Sequence, residues 1–116
     1  MFDSPLAAEN YVAVIDIGSN SVRLVVFSCG RRVPDTIFNE KIMVGLGAAI
    51  GATGDMAQEA MDLAVSTLKR FKSLCGQMKV NDVRIVATAA VRDAGNGPAF
   101  VKRVKNECGF SIRVIA

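Results

Sequence analysis

The strongest constraint on the fold is a glycine followed by three small polar residues, between two strongly apolar runs. Tyr11–Ile17 and residues 22–28 are rich in β-branched side chains, which favour strands. The four residues that begin at Gly18 predict a tight turn, so the two runs should form an antiparallel hairpin. The first run reads as a strand buried on both faces, although it contains the carboxylate of Asp16.

A third strand and a long helix are expected next. The third strand is predicted over residues 32–44, where a turn before it and a Gly/Ala-rich segment after it set the limits. Asp55 and Gln58 have the spacing of a capping box, which predicts a helix that starts there and ends near Gly76. Its expected buried face consists of Ala57, Ala60, Met61, Ala64, Leu68, Phe71 and Cys75.

The last third of the chain predicts two more strands around a second long helix. Residues 83–88 and 111–116 are the strands, and the helix starts at Asn96 or Gly97 and stops at Gly109. The order βββαβαβ predicts an α/β fold with a mixed sheet and helices on its faces.

The domain organisation follows from the length of 116 residues, which allows one domain at most. Residues 1–10 are expected to be a flexible tail, and residues 11–116 an incomplete lobe. An apolar parallel strand normally continues into a covering helix, so we expect the chain to be truncated after its fifth strand. The alternative is that residues 111–116 form a short edge strand.

Composition excludes several classes of function. The absence of histidine excludes histidine-based triads and histidine-ligated metal sites. Cys29, Cys75 and Cys108 form no CxxC pair, which indicates reduced, mostly packed thiols in a cytoplasmic protein. The sequence shows neither a signal peptide nor an apolar run long enough for a membrane span. The basic residues Lys102, Arg103 and Lys105 lack interleaved aromatic side chains, so no nucleic-acid partner is expected.

The hairpin turn is the first candidate site, because its residue types suit phosphate. Gly18 lets backbone N–H groups approach an anion, and residues 19–21 add short hydrogen-bond donors. Arg23 supplies a fixed positive charge, and Asp16 could hold Mg²⁺. The alternative is a plain hairpin turn, but a carboxylate inside an apolar strand needs a partner.

Two further segments are weaker candidates. Thr88 ends the fourth strand and Arg92 follows it, at the sheet edge where α/β folds place ligands. Taken alone, this segment favours the alternative that Arg92 and Asp93 form a surface ion pair. Residues 45–51 have the glycines of a dinucleotide fingerprint. They follow the third strand of a meander and open no helix directly, so we interpret them as a flexible connection.

Taken together, these motifs resemble a known family. The segment VAVIDIGSNSVRLVVF resembles the first phosphate motif of the actin-like ATPase superfamily, and more narrowly the opening of the exopolyphosphatase/guanosine pentaphosphate phosphohydrolase (Ppx/GppA) family. The segments FNEKIMVGLG and ATAAVRDAGNGPAFVKRV resemble later parts of the same family. The resemblance extends from about Tyr11 to Ala116.

The resemblance implies a ribonuclease-H-like N-terminal lobe of an enzyme that binds phosphates between two lobes. Such enzymes use Mg²⁺ to hydrolyse terminal phosphoanhydride bonds of inorganic polyphosphate, or of guanosine pentaphosphate, with release of orthophosphate. Asp16 would hold the metal, and Arg92 would act in catalysis by neutralising phosphate charge. The implied phosphate-binding residues are Gly18, Ser19, Asn20, Ser21 and Arg23.

The same resemblance implies parts that the sequence does not contain. The family's catalytic glutamate would lie beyond Ala116, and within the chain only Glu40 and Asp93 are candidates for a base. The implied partners are the second lobe and, at full length, a second copy in a homodimer. The chain alone is therefore expected to be nearly inactive. A kinase or ATPase of the same superfamily and a non-catalytic anion- or partner-binding lobe remain as alternatives.

Overall fold

The computed structural model of the chain describes residues 10–29 and 35–116, which form one five-stranded mixed sheet with helices. The predicted tail and the turn before the third strand lie largely outside the described residues. The strands are β1 (Tyr11–Ile17), β2 (Ser21–Ser28), β3 (Asp35–Met43), β4 (Asp82–Ala87) and β5 (Ile112–Val114). The helices are α1 (Ile50–Thr53), α2 (Gln58–Gln77), α3 (Ala89–Asp93) and α4 (Gly97–Cys108).

The sheet has the order β3-β2-β1-β4-β5. β1 pairs antiparallel with β2, and β2 pairs antiparallel with β3, which confirms the predicted meander. β4 runs parallel to β1, and β5 runs parallel to β4, as expected for strands reached through helical crossovers. The carboxyl ends of β1 and β4 consequently meet at one edge of the sheet.

All the long helices of the described chain lie on one face of the sheet. Ile15 and Leu24 point to that face and are fully buried in a single core with Phe71 of α2 and Phe100 of α4. The opposite face carries apolar side chains that are only half-buried and lie outside this core: Val12, Val14, Val25, Phe27 and Val86. The prediction of a first strand buried on both faces is therefore wrong for the described chain, whereas the mixed sheet with helices is confirmed.

The start of the long helix differs from the prediction. Residues 50–53, expected to be part of an irregular connection, form the single turn α1, which ends at Gly54 in the left-handed conformation (φ 80°). α2 begins at Gln58 with Ala57 at its N-cap, and Asp55 does not cap it. The reason is a tertiary contact, because both backbone polar groups of Met56 bond to the side chain of Asn96 at the start of α4, and the next residue, Ala57, is extended.

The last strand is shorter than predicted. β5 contains three residues and lies at the edge of the described sheet, so the strand predicted over residues 111–116 is too long. Its pairing is extended by one further bond, from the Ile115 N–H to the carbonyl of Ala87 at 2.8 Å. Among the helices described, none has the length and apolarity required to cross a bilayer.

Candidate functional site

Three segments meet at the edge where β1 and β4 end, and between them lies an open cleft of about 370 Å³. Open α/β sheets bind ligands at this edge, beyond the carboxyl ends of the parallel strands. The segments are the β1–β2 turn, the connection after β3, and α3. The cleft is lined by Ser19, Asn20, Gly47, Ala48, Ile50, Gly51, Ala89, Ala90 and Asp93.

The β1–β2 turn is tight and forms the floor of the cleft. The Gly18 N–H donates to the carbonyl of Ser21 at 2.9 Å, which closes the turn and leaves Ser19 and Asn20 at its tip. The carbonyl of Ile17 accepts a 3.1 Å bond from the Thr88 N–H, so the turn and α3 start from adjacent points of the sheet. Two of the predicted phosphate-binding residues therefore line the cleft.

The connection after β3 forms one wall, and backbone hydrogen bonds attach it to the turn. The N–H groups of Val44 and Gly45 both donate to the carbonyl of Asn20, and that of Gly47 donates to the carbonyl of Ser19, each at 2.9 Å. Gly47 allows this close approach, because a Cβ at its position would lie 2.9 Å from the Cβ of Ser19. The segment interpreted as a flexible connection is thus a fixed part of the candidate site.

The far end of the same wall is attached to the α3–α4 corner. The side-chain amide of Asn96 accepts a bond from the Met56 N–H and donates one to the Met56 carbonyl, both at 2.9 Å. The Gly95 N–H donates to the carbonyl of Gly54 at 2.8 Å. These bonds join residues about forty positions apart, so neither contact is visible as a local sequence pattern.

Asp16 and Arg23 lie next to the cleft but do not line it. They are opposite each other in the β1–β2 register, on the sheet face that the helices leave open. Arg23 Nη1 donates to Asn39 Oδ1 at 2.9 Å, which directs the guanidinium along β3. Of the residues predicted to bind phosphate or metal, Ser19 and Asn20 therefore line the cleft, whereas Asp16 and Arg23 lie beside it on the open face of the sheet.

Arg92 forms the surface ion pair that was the alternative interpretation of its motif. Its Nε and Nη2 donate to the carboxylate of Asp93 at 2.9 and 3.2 Å, and its Nη1 lies 3.5 Å from the carbonyl of Ile115. The hydrogen bonds from Arg92 lower the pKa of Asp93, and those to Asp93 raise the pKa of Arg92. Because the side chains are 40% and 56% exposed, an anion could compete for Arg92 at small cost.

Only one of the two proposed bases is at the cleft. Glu40 lies beside Leu24 on the helix-covered face and is held by both terminal nitrogens of Arg70. Asp93 lines the cleft, although Arg92 occupies its carboxylate. The geometry therefore removes Glu40 from the candidates.

A metal site built from protein ligands alone is not formed in the described residues, which contain no group of three acidic or cysteine side chains. Asp16 is nevertheless an exposed carboxylate beside the turn. Mg²⁺ commonly keeps several waters and is held by one or two carboxylates together with substrate phosphates. The chemistry of Asp16 fits that mode of binding.

Sequence reasoning missed the residues that build the cleft without carrying charge. From the sequence, Gly47 and Gly51 are identified only as part of an incomplete dinucleotide fingerprint, and Asn96 only as the start of a helix. The sequence does contain one signal for this wall. The connection between a strand and a helix is rich in glycine and alanine, whose side chains are too small to contribute much to a core.

Comparison with known proteins identifies close similarity over nearly the whole chain. The sequence profile of the Ppx/GppA phosphatase family matches residues 25–116. Exopolyphosphatase 1 of Mycobacterium leprae is 30% identical over 105 residues, and Retrograde regulation protein 2 of Saccharomyces cerevisiae is 26% identical over 123 residues. The alignments cover 90% and 97% of this chain, but only 31% and 21% of those two proteins.

Solved structures similar to this chain come from the same family and are also matched over only part of their length. The Aquifex aeolicus member of the Ppx/GppA family superposes with a TM-score of 0.90 at 36% identity, over 92% of this chain and 35% of that one. An exopolyphosphatase from Cytophaga hutchinsonii superposes with a TM-score of 0.86 at 35% identity, over 91% of this chain and 34% of its own. RuvC of Thermus thermophilus, at 12% identity and a TM-score of 0.50, shares the fold alone. The chain thus spans about a third of the length of its similar structures and has a ribonuclease-H-like fold.

Proposed function

The chain belongs to the Ppx/GppA phosphatase family, and from this we propose that it is the N-terminal phosphate-binding lobe of an exopolyphosphatase. The reaction is hydrolysis of the terminal phosphoanhydride bond of inorganic polyphosphate, or of guanosine pentaphosphate, with release of orthophosphate. The relative from Mycobacterium leprae is named an exopolyphosphatase, which supports this choice within the family.

The observation that carries the proposal is the composition and position of the cleft. Its floor is a tight turn of small polar residues, and its wall contains the glycines at positions 47 and 51. Such surfaces admit the backbone of an anionic chain and offer N–H and hydroxyl donors at close range. The cleft is open, as is suitable for the end of a long polymer that must enter and leave.

Charge neutralisation would come from residues around the cleft. Arg92 would exchange part of its contact with Asp93 for a phosphate oxygen, and Arg23 lies on the open sheet face beside the turn. Asp16 would hold Mg²⁺, which when bound supplies positive charge to the phosphate oxygens. Phosphoryl transfer depends mainly on this kind of positioning and charge stabilisation.

The chemical step places a water oxygen on the terminal phosphorus while the bridging oxygen leaves with the shortened polymer. The water also loses a proton, which requires a general base within hydrogen-bond reach. Asp93 is the only carboxylate lining the described cleft, and Arg92 engages it. We therefore propose that the base belongs to a part of the protein outside residues 1–116, and that the chain alone turns over very little substrate.

Phosphate release from medium-chain polyphosphate tests this proposal. The chain and a longer form that contains the rest of the protein would be assayed with Mg²⁺ and with chelator. We expect release only by the longer form with Mg²⁺, and a loss of about 10²–10³ in rate on changing Arg92→Ala, which is typical of removing one charge-stabilising donor. Release by neither form would contradict the proposal, and release by the chain alone would place a base within these residues.

A non-catalytic binding lobe is the second candidate, because the ion pair with Arg92 leaves no unpaired carboxylate lining the described cleft. Binding of tripolyphosphate without turnover by the longer form would favour it. Transfer of phosphate from ATP to a sugar would favour instead a kinase of the same superfamily. We further propose a cytoplasmic protein that pairs with its second lobe, forms a homodimer at full length, and has no nucleic-acid or membrane partner.

A further inference from the structure

The wall of the cleft has few anchors of its own. Between β3 and α2, only Leu46 and Met56 are fully buried, at 0% and 2% exposure. The near end of the wall is fixed by backbone bonds to the turn, as described above. The far end is fixed by the backbone bond from Gly95 to Gly54 and through Met56, whose N–H and carbonyl both bond to one side chain.

The side chain bonded to Met56 is that of Asn96, and it does not make the hydrogen bond that is usual at its position. Asn96 occupies the N-cap position of α4, where an asparagine normally accepts a hydrogen bond from the first turn of its own helix. Here the N-cap makes no side-chain capping bond, and the amide reaches across to Met56 instead. A residue that gives up local stabilisation for a distant contact is typical of functional sites.

The corner that carries Asn96 also carries the opposite wall. α3, which contributes Asp93 to the cleft, ends three residues before it. Gly97 packs so closely on α3 that an added Cβ would meet the carbonyl of Val91 at 2.0 Å. Asn96 is thus held rigidly relative to one wall and bonded to the other.

We propose that Asn96 is a positioning residue that sets the separation of the two walls of the phosphate cleft. The proposal rests on the proposed function of that cleft. A carboxamide suits the task because one group both accepts from an N–H and donates to a carbonyl, which carboxylates and hydrocarbons cannot do. A small displacement of a binding wall weakens every contact made across the cleft, which is why distant supports affect function strongly.

Asn96→Ser is the most informative variant. Serine is a preferred N-cap residue, so α4 should gain a cap, but its side chain is too short to reach both groups of Met56. Asn96→Ala removes the bridge without providing a cap. Val104→Ala is the matched control, since it is an uncharged substitution on the same helix that creates a cavity in the core away from the cleft.

The experiment measures the binding of sodium tripolyphosphate to the chain by calorimetry, together with the melting temperature and the backbone amide shifts. We expect Asn96→Ser to bind about tenfold more weakly with little loss of melting temperature, and its amide shifts to move at Gly47 and Gly51. Val104→Ala should melt earlier and bind normally. Unchanged affinity in Asn96→Ser, or equal loss in Val104→Ala at matched stability, would overturn the proposal.

Failure of the proposed function gives a different result. In that case the unchanged chain binds no tripolyphosphate. The role of Asn96 is then tested by comparing the amide shifts of the substituted and unchanged chains without ligand. If substitution moves the signals of both cleft walls, the positioning role stands. If the shifts stay within two residues of positions 56 and 96, it is refuted.

Discussion

At the scale of single residues, the cleft depends on glycine at one position and tolerates a side chain at another. Gly47→Ala places a methyl group 2.9 Å from the Cβ of Ser19, which the backbone fixes, so the wall must move. We expect a loss of about 1–3 kcal/mol in the free energy of unfolding and weaker tripolyphosphate binding. Chemical denaturation and calorimetry measure the two effects.

Gly51→Ala is the matched control, because a Cβ there meets nothing within 4 Å. This residue lies in α1, where alanine should stabilise the chain by about 0.4–1 kcal/mol through a less flexible unfolded state. Equal destabilisation by the two substitutions would show that the close approach of Gly47 to the turn is not what fixes the wall.

The ion pair between Arg92 and Asp93 leads to a second prediction at the scale of single residues. Asp93→Asn removes a negative charge from the cleft lining and releases Arg92, so tripolyphosphate should bind about threefold more tightly without Mg²⁺. Asp82→Asn is the control, because Asp82 pairs with Arg84 at the opposite end of β4. An effect of the same size from both substitutions would indicate general electrostatics, and weaker binding in Asp93→Asn would contradict the prediction.

At the scale of elements, neighbouring residues of β2 should respond in opposite ways. Val26 is fully buried under the helices, whereas Val25 lies on the open face. Val26→Thr buries a hydroxyl and should cost about 1–3 kcal/mol in unfolding free energy. Val25→Thr keeps the β-branched shape and should stay within about 0.5 kcal/mol. Denaturation curves that gave equal losses would mean that both faces are covered.

The ion pairs between α2 and α4 should make the stability of the chain depend on pH. Arg103 lies 2.7 Å from Asp62 and 2.9 Å from Glu107, and its hydrogen bonds lower the pKa of both carboxyls. A lowered folded-state pKa gives stability that is present above the ordinary values of 3.8 and 4.5, and lost as pH falls through the folded-state values. The melting temperature should therefore decline as the pH falls below about 4.5, as expected from this linkage.

Arg103→Gln tests the origin of that decline. Without the guanidinium, both carboxyls return toward their ordinary pKa, so the melting temperature should fall less steeply with acid, although it starts slightly lower at neutral pH. Because these groups are exposed, added salt should reduce the difference between the two proteins. An identical acid decline in both would assign the effect to other carboxyls.

Elements that local pattern determines were predictable, and those set by distant contacts were not. The three-strand meander, the end of α2 near Gly76 and the stop of α4 at Gly109 follow from alternation and glycine positions. The start of α2 was misplaced because Asn96 holds Met56 out of the helix. The cleft wall was missed for the same reason, since its position depends on bonds to the β1–β2 turn.

At the scale of the whole molecule, the described helices leave one sheet face without a layer. Parallel strands are ordinarily covered on both sides, and the sequence of β1 is almost as apolar as that would require. Instead, half-buried side chains on β1 and β2 form one apolar surface, in which Val14 lies opposite Val25 and Val12 lies opposite Phe27. On β4, the residues paired with Val12 and Val14 are Asp82 and Arg84, so this surface has a polar border there. This surface is a property of the assembled sheet and of no single strand.

We expect this surface to bind a hydrophobic dye in the native chain. The variant Val14→Thr/Phe27→Thr makes it more polar at two positions that contribute nothing to the buried core, so dye fluorescence should fall while the melting temperature changes little. Val26→Thr, on the covered face, should leave the native dye signal unchanged well below its own melting temperature. If the double variant bound as much dye as the unchanged chain, the dye would be binding elsewhere, and the apolar surface of β1 and β2 would not be its site.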